Sequence, residues 1–596
     1  RNTWSSSFNA VGGAGTNAAV LAEGTAGRRG AAILRPTMAR AVPHDALLVA
    51  RKSILQATVA QRLPMTLPMT RIRLTRIRRA ALACVLLLPV AVGAFMIPER
   101  TARDGAHLLD QVMTFVALRY VDTVSAQDLY EKSARGLVKE LGDPYSELLT
   151  PKDLEAFSRN TVGRYGGVGM LLTPPIAGYV MVEKVFPNTP AESRGVREGD
   201  RIVAVDTFQT AGWTVDKVQG KLLGDPGTPV SVTYRRQGVA SPIALKFTRA
   251  EIKVPAVSYH LMLDDKIGYI PLTRFSEQTT HDMTEAITAL RRDGAKGLVI
   301  DLRGNPGGIV EEAFGMANLF LPKGKELLSV RERTGSQSMV AERAPLAPDI
   351  PLVVLVDGGS ASASEIVAGA LQDYDRGLVL GTTTYGKGLV QSVYSLDGGY
   401  ALKMTTGKWF TPSGRSIQKP RHFNAQGQWV EDASDSLETS AVRAKRPTYK
   451  SAAGRTLYGG GAITHDVFVP ADTITTPELR LRRLLSPHSQ KYFDHVNGIA
   501  EAQKGTLNPD FTYNAAWRAE LYKRLVADSV IIDRAVFDAG GADVDRAIES
   551  RVAKVSFGDA IARRHEVKDD NQLRRAMALL RNVTTQSQVF AKVDKS

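Results

Sequence analysis

Residues 352–364 read LVVLVDGGSASAS, an apolar strand that runs into a glycine turn and then a string of small residues. A helix-like stretch, 365–374, follows directly, and a second apolar strand at 378–380 leads to the loop YGKG at 385–388. A strand–turn–helix junction presents a side chain at a helix N-terminus, where free backbone N–H groups can stabilise an oxyanion. The glycine-flanked lysine nearby in the chain is a candidate base. Together the two junctions predict a serine nucleophile activated by lysine.

The identity of the nucleophile is left open by this pattern. Periodicity does not choose among Ser360, Ser362 and Ser364, and one of them could simply cap the helix. Lysine acts as a base only if burial lowers the pKa of its ammonium group toward neutrality. Lys387 lies between two glycines and has apolar neighbours, which favours close approach and desolvation, whereas the alternative is an ordinary lysine in a surface turn.

Other hydrolytic chemistries find little support in the sequence. Between residues 161 and 420 the only histidines are His260 and His281, and neither lies in a glycine-flanked loop at a strand end, so a Ser-His-Asp triad is not favoured. The single cysteine, Cys84, lies in an apolar run, which excludes disulfides and a cysteine nucleophile from the rest of the chain. No cluster of zinc ligands is visible, and we expect neither a metal nor a cofactor.

The distribution of charge argues against nucleic acid as a partner. The formal net charge is +15, but residues 1–80 hold 13 Lys/Arg and two acidic residues and so account for +11 of it. The remaining residues carry only +4 and show no basic stripe interleaved with aromatic residues. We therefore expect no nucleic-acid binding.

The N-terminal residues have the pattern of an export signal. Residues 1–68 are expected to be disordered or to lie upstream of the true start, for which Met69 is the better candidate. Five arginines between positions 71 and 79 precede the uncharged apolar run 80–97. Residues 69–97 are therefore predicted to be a signal peptide or membrane anchor, the one expected contact with a membrane. The rest of the chain would be exported to the periplasm, or anchored in the inner membrane facing outward.

The residue composition and hydrophobic pattern of the remaining sequence change several times, which predicts separate regions. Short β-branched runs between Gly/Pro turns indicate a small β domain, and alternating strands and helices indicate βα repeats. The predicted regions are an N-terminal helical region (98–160), a β domain (161–250), a βα-repeat core (251–420), a polar insertion (421–453), a return segment of the core (454–475) and a C-terminal helical region (476–596).

The β domain opens with a glycine-rich loop, Tyr165–Met170, that reads YGGVGM. It lacks the Gly-Lys-Ser/Thr and the strand–loop–helix context of a phosphate-binding loop. Successive backbone N–H groups beside an open strand edge are better suited to a peptide's C-terminal carboxylate. The alternative is a plain tight turn.

Five segments in order closely resemble the carboxyl-terminal processing peptidases, also called tail-specific proteases. They are Tyr165–Met170, Asp301–Gly308, Gly359–Tyr374, Tyr385–Gln391 and Thr411–Gln418. The resemblance runs from about residue 101 to 420 and resumes at Leu457–Gly461 and Asp466–Val467. It implies an α/β fold: a ClpP/crotonase-like βα-repeat protease core with an inserted PDZ-like β domain and helical N- and C-terminal regions.

The resemblance also implies roles for particular residues. Ser362 would be the nucleophile, Lys387 the general base and Gln391 the residue that orients the lysine. Backbone N–H groups of Ala363, Gly307 and Gly308 would form the oxyanion hole. Residues 161–250 would be a PDZ domain that holds the substrate's free carboxylate in a loop formed by Tyr165, Gly166, Gly167, Val168, Gly169 and Met170.

The function implied is that of a serine endopeptidase that recognises the apolar C-terminus of protein substrates and cleaves upstream through an acyl-enzyme. One hypothesis is that the PDZ domain gates the site, so that Ser362 and Lys387 come together only when a tail is bound. The alternative from another class is a catalytically silent envelope scaffold that binds C-terminal tails. A crotonase-like acyl-CoA enzyme would share the βα core, but no adenine-nucleotide signature supports it. The oligomeric state is not fixed by the sequence.

Overall fold

A computed structural model describes residues 97–176, 178–424, 429–431 and 444–593. The predicted segment 1–68 and all but the last residue of the predicted leader, 69–97, lie outside the described residues. The described residues fall into two compact units, one that ends at residue 133 and one that begins at residue 134. Over the described part of the chain, no helix combines the length and apolar character needed to cross a membrane.

Helices dominate the region before the β domain. The elements are α1 (Ile97–Arg119), α2 (Ala126–Lys139), β1 (Glu147–Leu149) and α3 (Pro151–Val162). Thr150 caps α3 in a capping box with Asp153, and Pro151 occupies the first turn, where its missing N–H costs nothing. The predicted N-terminal helical region is confirmed, and within it the short strand β1 pairs with a strand distant in sequence.

The β domain is a six-stranded antiparallel sheet with one longer and one shorter helix. Its elements are β2 (Arg164–Gly167), β3 (Met170–Ile176), β4 (Tyr179–Val185), α4 (Pro190–Ser193), β5 (Arg201–Val205), β6 (Phe208–Gln209), α5 (Val215–Leu222), β7 (Pro229–Arg235), β8 (Ile243–Thr248) and β9 (Ala250–Lys253). The sheet order is β3-β4-β5-β7-β8, with β6 beside β5. Strands β2 and β9 pair with each other, so the chain enters and leaves the domain as one antiparallel ribbon.

The core begins at residue 261 and contains two large sheets and two short two-stranded ones. Its elements up to the second junction are β10 (Leu261–Leu263), β11 (Ile267–Pro271), α6 (Thr279–Arg292), β12 (Gly297–Asp301), α7 (Val310–Asn318), β13 (Glu326–Glu332), β14 (Gly335–Val340), β15 (Leu352–Val356), α8 (Ala363–Asp373) and β16 (Leu378–Gly381). The elements that follow are β17 (Leu389–Ser395), β18 (Ala401–Phe410), β19 (Arg421–Phe423), β20 (Trp429–Glu431), β21 (Thr448–Lys450), β22 (Thr456–Tyr458) and β23 (Val467–Phe468).

The first sheet has the order β10-β11-β12-β15-β16-β23, in which all neighbours except β10 and β11 are parallel. Its central strands are apolar throughout, and every residue of β15 is fully buried, as expected for a sheet covered on both faces. Parallel strands place their carboxyl ends at one edge. Three glycine-bearing junctions, 302–308, 357–364 and 382–388, follow strands β12, β15 and β16 at that edge.

The second sheet, with the order β1-β18-β13-β14 and β17 beside β18, was not predicted from the sequence. Its strands carry polar residues on their buried side, which hides the alternation typical of a half-buried strand. Lys403, for example, is buried in the middle of β18 and pairs with Glu147 of β1. This sheet forms one wall of the site described below.

The C-terminal region is helical. Its elements are α9 (Thr476–Leu485), α10 (Ser489–Gln503), α11 (Ala515–Ala527), α12 (Arg534–Ala539), α13 (Gly541–Phe557), α14 (Asp559–Val567), α15 (Asn571–Leu580) and α16 (Gln586–Val593). Trp517, Leu521 and Leu525 share a buried face of α11, as their spacing predicts. The last two helices cover one face of the parallel sheet, where Leu573 and Leu580 join the same apolar cluster as its strands.

Candidate active site

The three serines after strand β15 differ in what their hydroxyl groups do. Ser360 donates to the carbonyl of Leu302 at 2.8 Å, and Ser364 donates to the carbonyl of Asn305 at 2.9 Å. Ser362 instead lines a cavity at the start of α8. Its backbone has a φ of 54°, a strained value for a residue other than glycine, and such values are concentrated at functional sites. The structure therefore singles out the serine that sequence periodicity could not.

The cavity beside Ser362 has a volume of about 320 Å³ and a mainly apolar wall. Its apolar lining comes from helices α7 and α8 and from the second sheet: Val310, Phe314, Leu328, Val330, Met339, Ile366, Leu389, Val390 and Trp409. Polar residues that also line it include Glu311, Glu332 and Gln337. A space of this size and lining fits one apolar side chain of a bound peptide.

The turn after β12 lies directly against the serine. Gly307 has a φ of 96°, and a Cβ at this position would lie 2.9 Å from both the Ser362 Cβ and the Ala363 nitrogen, so only glycine fits. The N–H of Gly307 donates to Asn305 Oδ1 at 2.9 Å. Within the described residues, the backbone N–H groups of Gly308 and Ala363 donate to no other group. These two remain available to bind an anion.

A buried carboxylate joins the serine turn to the lysine loop. One oxygen of Glu365 accepts the backbone N–H groups of Ser362 and Lys387, both at 2.9 Å. The other oxygen accepts the N–H of Gly386 at 2.7 Å and the hydroxyl of Thr384 at 2.5 Å. Burial raises the pKa of Glu365, and these four donated bonds oppose that rise. Sequence reasoning missed this residue, although an acidic residue within a small apolar helix is a visible signal.

Lys387 is almost completely buried, as the sequence suggested for a lysine between glycines. Burial, and to a lesser extent the nearby ammonium of Lys403, lower the pKa of its ammonium group to about 7. The carboxylates of Glu365 and Asp143 act in the opposite direction. A lysine with this pKa has a substantial neutral fraction at physiological pH.

Gln391 lies buried on strand β17. Its amide nitrogen donates to Thr405 Oγ1 at 3.3 Å, while its Oε1 is buried and has no hydrogen-bond partner among the described residues. The amide oxygen therefore does not accept from Lys387 in this structure. Its predicted role in orienting Lys387 stays a prediction.

The glycine-rich loop of the β domain borders a second cavity of about 170 Å³. Tyr165, Gly167, Val168, Gly169 and Met170 line it together with residues of α5, whereas Gly166 does not. Gly169 has a φ of 90°, and a Cβ there would lie 2.4 Å from the side chain of Thr189, so the loop requires glycine. Burial raises the pKa of the Tyr165 hydroxyl to about 12. The groove between this loop and α5 is open to an extended peptide.

Comparisons with known proteins agree with this architecture. The family model "Peptidase family S41" matches residues 266–422, and a PDZ domain model matches residues 181–236. The carboxy-terminal-processing protease of Bartonella bacilliformis is 39% identical over 326 residues, which cover 54% of this chain and 73% of the relative. The carboxy-terminal processing protease CtpA of Bacillus subtilis is 33% identical over 343 residues, covering 57% and 73%.

Among solved structures, a photosystem II D1 C-terminal processing protease is similar with 31% identity and a TM-score of 0.31, covering 51% of this chain and 82% of its own. The fold, the serine turn and the sequence matches together define a serine peptidase that carries a PDZ domain. The chain belongs to peptidase family S41, among the carboxy-terminal processing proteases. The expected family and α/β fold class are thereby confirmed.

Replacing Glu365 by glutamine should disable the serine. The amide nitrogen of glutamine cannot accept the N–H groups that one carboxylate oxygen now accepts, and each orphaned buried donor costs about 1–3 kcal/mol. We expect labelling of the protein by a fluorophosphonate, which reacts with activated serines, to slow by at least about tenfold. The exposed Glu285 on α6 provides the matched control, since Glu285→Gln should label at the wild-type rate. Equal rates for the two variants would contradict a role for Glu365.

Proposed function

We propose that this chain is an endopeptidase that binds the apolar C-terminus of unfolded protein substrates on its PDZ domain and cleaves upstream with Ser362 and Lys387. The observation that carries the proposal is the junction at Glu365, where one carboxylate oxygen accepts the backbone N–H groups of both residues. It supports the proposal because it joins the strained turn of Ser362 to the loop that carries Lys387, whose pKa is lowered to about 7.

Substrate recognition begins at the β domain. An extended tail would add a strand between β3 and α5, its carboxylate held by backbone N–H groups of the loop Tyr165–Met170. The apolar wall of the groove, which includes Val215 and Leu222, would take the last side chain. Such a site recognises the free carboxylate and an apolar last residue. The rest of the substrate stays free to reach Ser362.

Cleavage would proceed through an acyl-enzyme. The neutral amine of Lys387 takes the proton from Ser362 as the serine oxygen attacks the peptide carbonyl. The N–H groups of Gly308 and Ala363 carry the developing negative charge, because the N–H of Gly307 is already donated to Asn305. The lysine then protonates the leaving amine. Water, deprotonated by the same lysine, releases the acyl group from the serine.

The cavity beside Ser362 would accept the side chain that precedes the cleaved bond. Its lining, which includes Phe314, Met339 and Trp409, favours an apolar residue at that position. The unpartnered oxygen of Gln391 also has a place in the proposal. After the site rearranges, this oxygen would accept a hydrogen bond from Lys387. Such a rearrangement is consistent with a site that becomes complete when a tail binds.

The direct test is hydrolysis of an unfolded reporter with an apolar C-terminal tail, by protein that begins near residue 98. Ser362→Ala and Lys387→Ala should each abolish cleavage, since they remove the nucleophile and the base. Amidation of the reporter's terminal carboxylate should weaken cleavage, because it removes the charge that the loop binds. Cleavage that survives both substitutions would refute the proposed dyad, and tail binding without any cleavage in the wild type would favour a scaffold.

The pH profile offers a second test. Lys403→Met removes a positive charge that lowers the pKa of Lys387, so that pKa should rise. The base acts in its neutral form, and the acid limb of the kcat/KM profile should therefore move to higher pH by about half a unit to one unit. Lys408→Met, at an exposed position of the same strand, should leave the limb in place. If the acid limb of the kcat/KM profile stays in place or moves to lower pH in Lys403→Met, Lys403 does not lower the pKa of the base.

The proposed location is the cell envelope, because a basic segment followed by the apolar run 80–97 is typical of an export signal or anchor. Expression of the full chain beside a chain that lacks residues 69–97, followed by cell fractionation, tests this. The full chain should reach the envelope and the shortened chain should stay in the cytoplasm. The same location for both would contradict the proposal.

A further inference from the structure

A tyrosine from outside the matched protease core lies over the amine of Lys387. The Nζ atom of Lys387 is 5.0 Å from the centroid of the Tyr145 ring. Both side chains are nearly inaccessible, with exposed fractions of 7% for Tyr145 and 2% for Lys387. The ring therefore forms part of the wall that separates this amine from solvent.

The segment that carries Tyr145 is fixed to the second sheet. Asp143 accepts the backbone N–H of Tyr145 at 3.1 Å and the hydroxyl of Ser146 at 2.5 Å. Ser146 Oγ in turn accepts the N–H of Thr405, on strand β18, at 3.0 Å. Strand β1 then pairs with the same strand. These hydrogen bonds and the strand pairing fix the position of the Tyr145 ring relative to the loop that carries Lys387.

Arg421 ties the tyrosine to the lysine loop itself. Its guanidinium donates to the Tyr145 hydroxyl at 3.3 Å and to the carbonyl of Gly386 at 3.2 Å. It also donates to the carbonyl of Tyr385 at 2.5 Å and lies over that ring. The Arg421 side chain thus holds both the two residues before Lys387 and the Tyr145 ring that lies over the amine.

The charged groups that face the Lys387 amine come from several elements. Lys403 on β18 and Glu365 on α8 act on it, as does Asp143 before β1, while Glu147 is paired with Lys403. Arg421 points its guanidinium at the carbonyls of the lysine loop. The ring of Tyr145 is uncharged and lies 5.0 Å from the same amine.

We propose that Tyr145 is a positioning residue for the peptidase reaction: its ring covers the Lys387 side chain and keeps bulk water from the amine. The inference rests on the proposed role of Lys387 as the general base. The segment 143–149 precedes the PDZ domain in the chain, whereas Lys387 follows it. The proposal gives this segment a direct part in preparing the base.

Two effects of the ring on the base oppose each other. The face of an aromatic ring attracts a cation and so favours the ammonium form. Exclusion of water disfavours the ammonium form and favours the neutral amine. Burial is the largest influence on the pKa of Lys387 and lowers it to about 7, so the exclusion of water dominates. Removal of the ring without replacement should raise the pKa of the base.

The test is the pH dependence of the rate at which a fluorophosphonate labels Ser362, measured with and without a peptide that carries an apolar C-terminus. In Tyr145→Ala the acid limb should move to higher pH by about one unit or more, because water reaches the amine. Tyr145→Leu keeps an apolar side chain but no aromatic face, so its limb should stay at or below the wild-type position. Tyr145→Phe keeps the ring and should match the wild type.

Phe320→Ala is the control for a cavity in the same core, because Phe320 is fully buried but packs against Arg376. It should reduce the yield of folded protein without moving the limb. Rates are normalised to the labelled fraction at completion, so partial unfolding does not imitate a shift.

The outcomes separate this inference from the proposed function. A wild type that is labelled at Ser362 neither with nor without the peptide, or is labelled without dependence on Lys387, would refute the proposed dyad. A wild type with a lysine-dependent limb that Tyr145→Ala does not move would refute the role of Tyr145 alone. An upward shift in Tyr145→Leu as large as that in Tyr145→Ala would also refute it, since bulk without aromaticity should suffice to exclude water.

Discussion

One buried carboxylate, that of Glu365, is the interaction on which the site depends. Its four donors come from the serine turn after strand β15 and from the lysine loop after strand β16. A buried carboxylate is costly unless its oxygens are satisfied, so both loops are held in the one arrangement that satisfies it. The relative position of Ser362 and Lys387 is therefore set by a third residue that touches the backbone of each.

The parallel sheet and the second sheet contribute different things to this arrangement. The parallel sheet brings three glycine-bearing junctions to one edge. Gly307 can contact the serine turn closely because it has no side chain. The second sheet supplies the apolar cavity and the buried setting of the lysine. The proposed base chemistry thus depends in part on strands such as β1 and β13, which are distant from Lys387 in sequence.

The sequence predicted those features that depend on local pattern. Helix Thr279–Arg292 begins and ends where the apolar periodicity placed it, and the strands of the parallel sheet are the apolar runs. The choice of Ser362 needed a family resemblance, because the hydrogen bonds that distinguish Ser360 and Ser364 run to carbonyls distant in sequence. Lys403 and Glu365 were missed, because a buried charge is explained only by partners distant in sequence, such as Glu147, that no periodicity reveals.

The most direct test of the account is to trap the acyl-enzyme. Wild-type protein would be mixed with a slowly hydrolysed activated ester that carries an apolar acyl group, quenched in acid, digested and mapped by mass spectrometry. The account predicts one acyl group on Ser362, lost in Lys387→Ala. An adduct on Ser360 or Ser364, or no adduct during turnover, would contradict it.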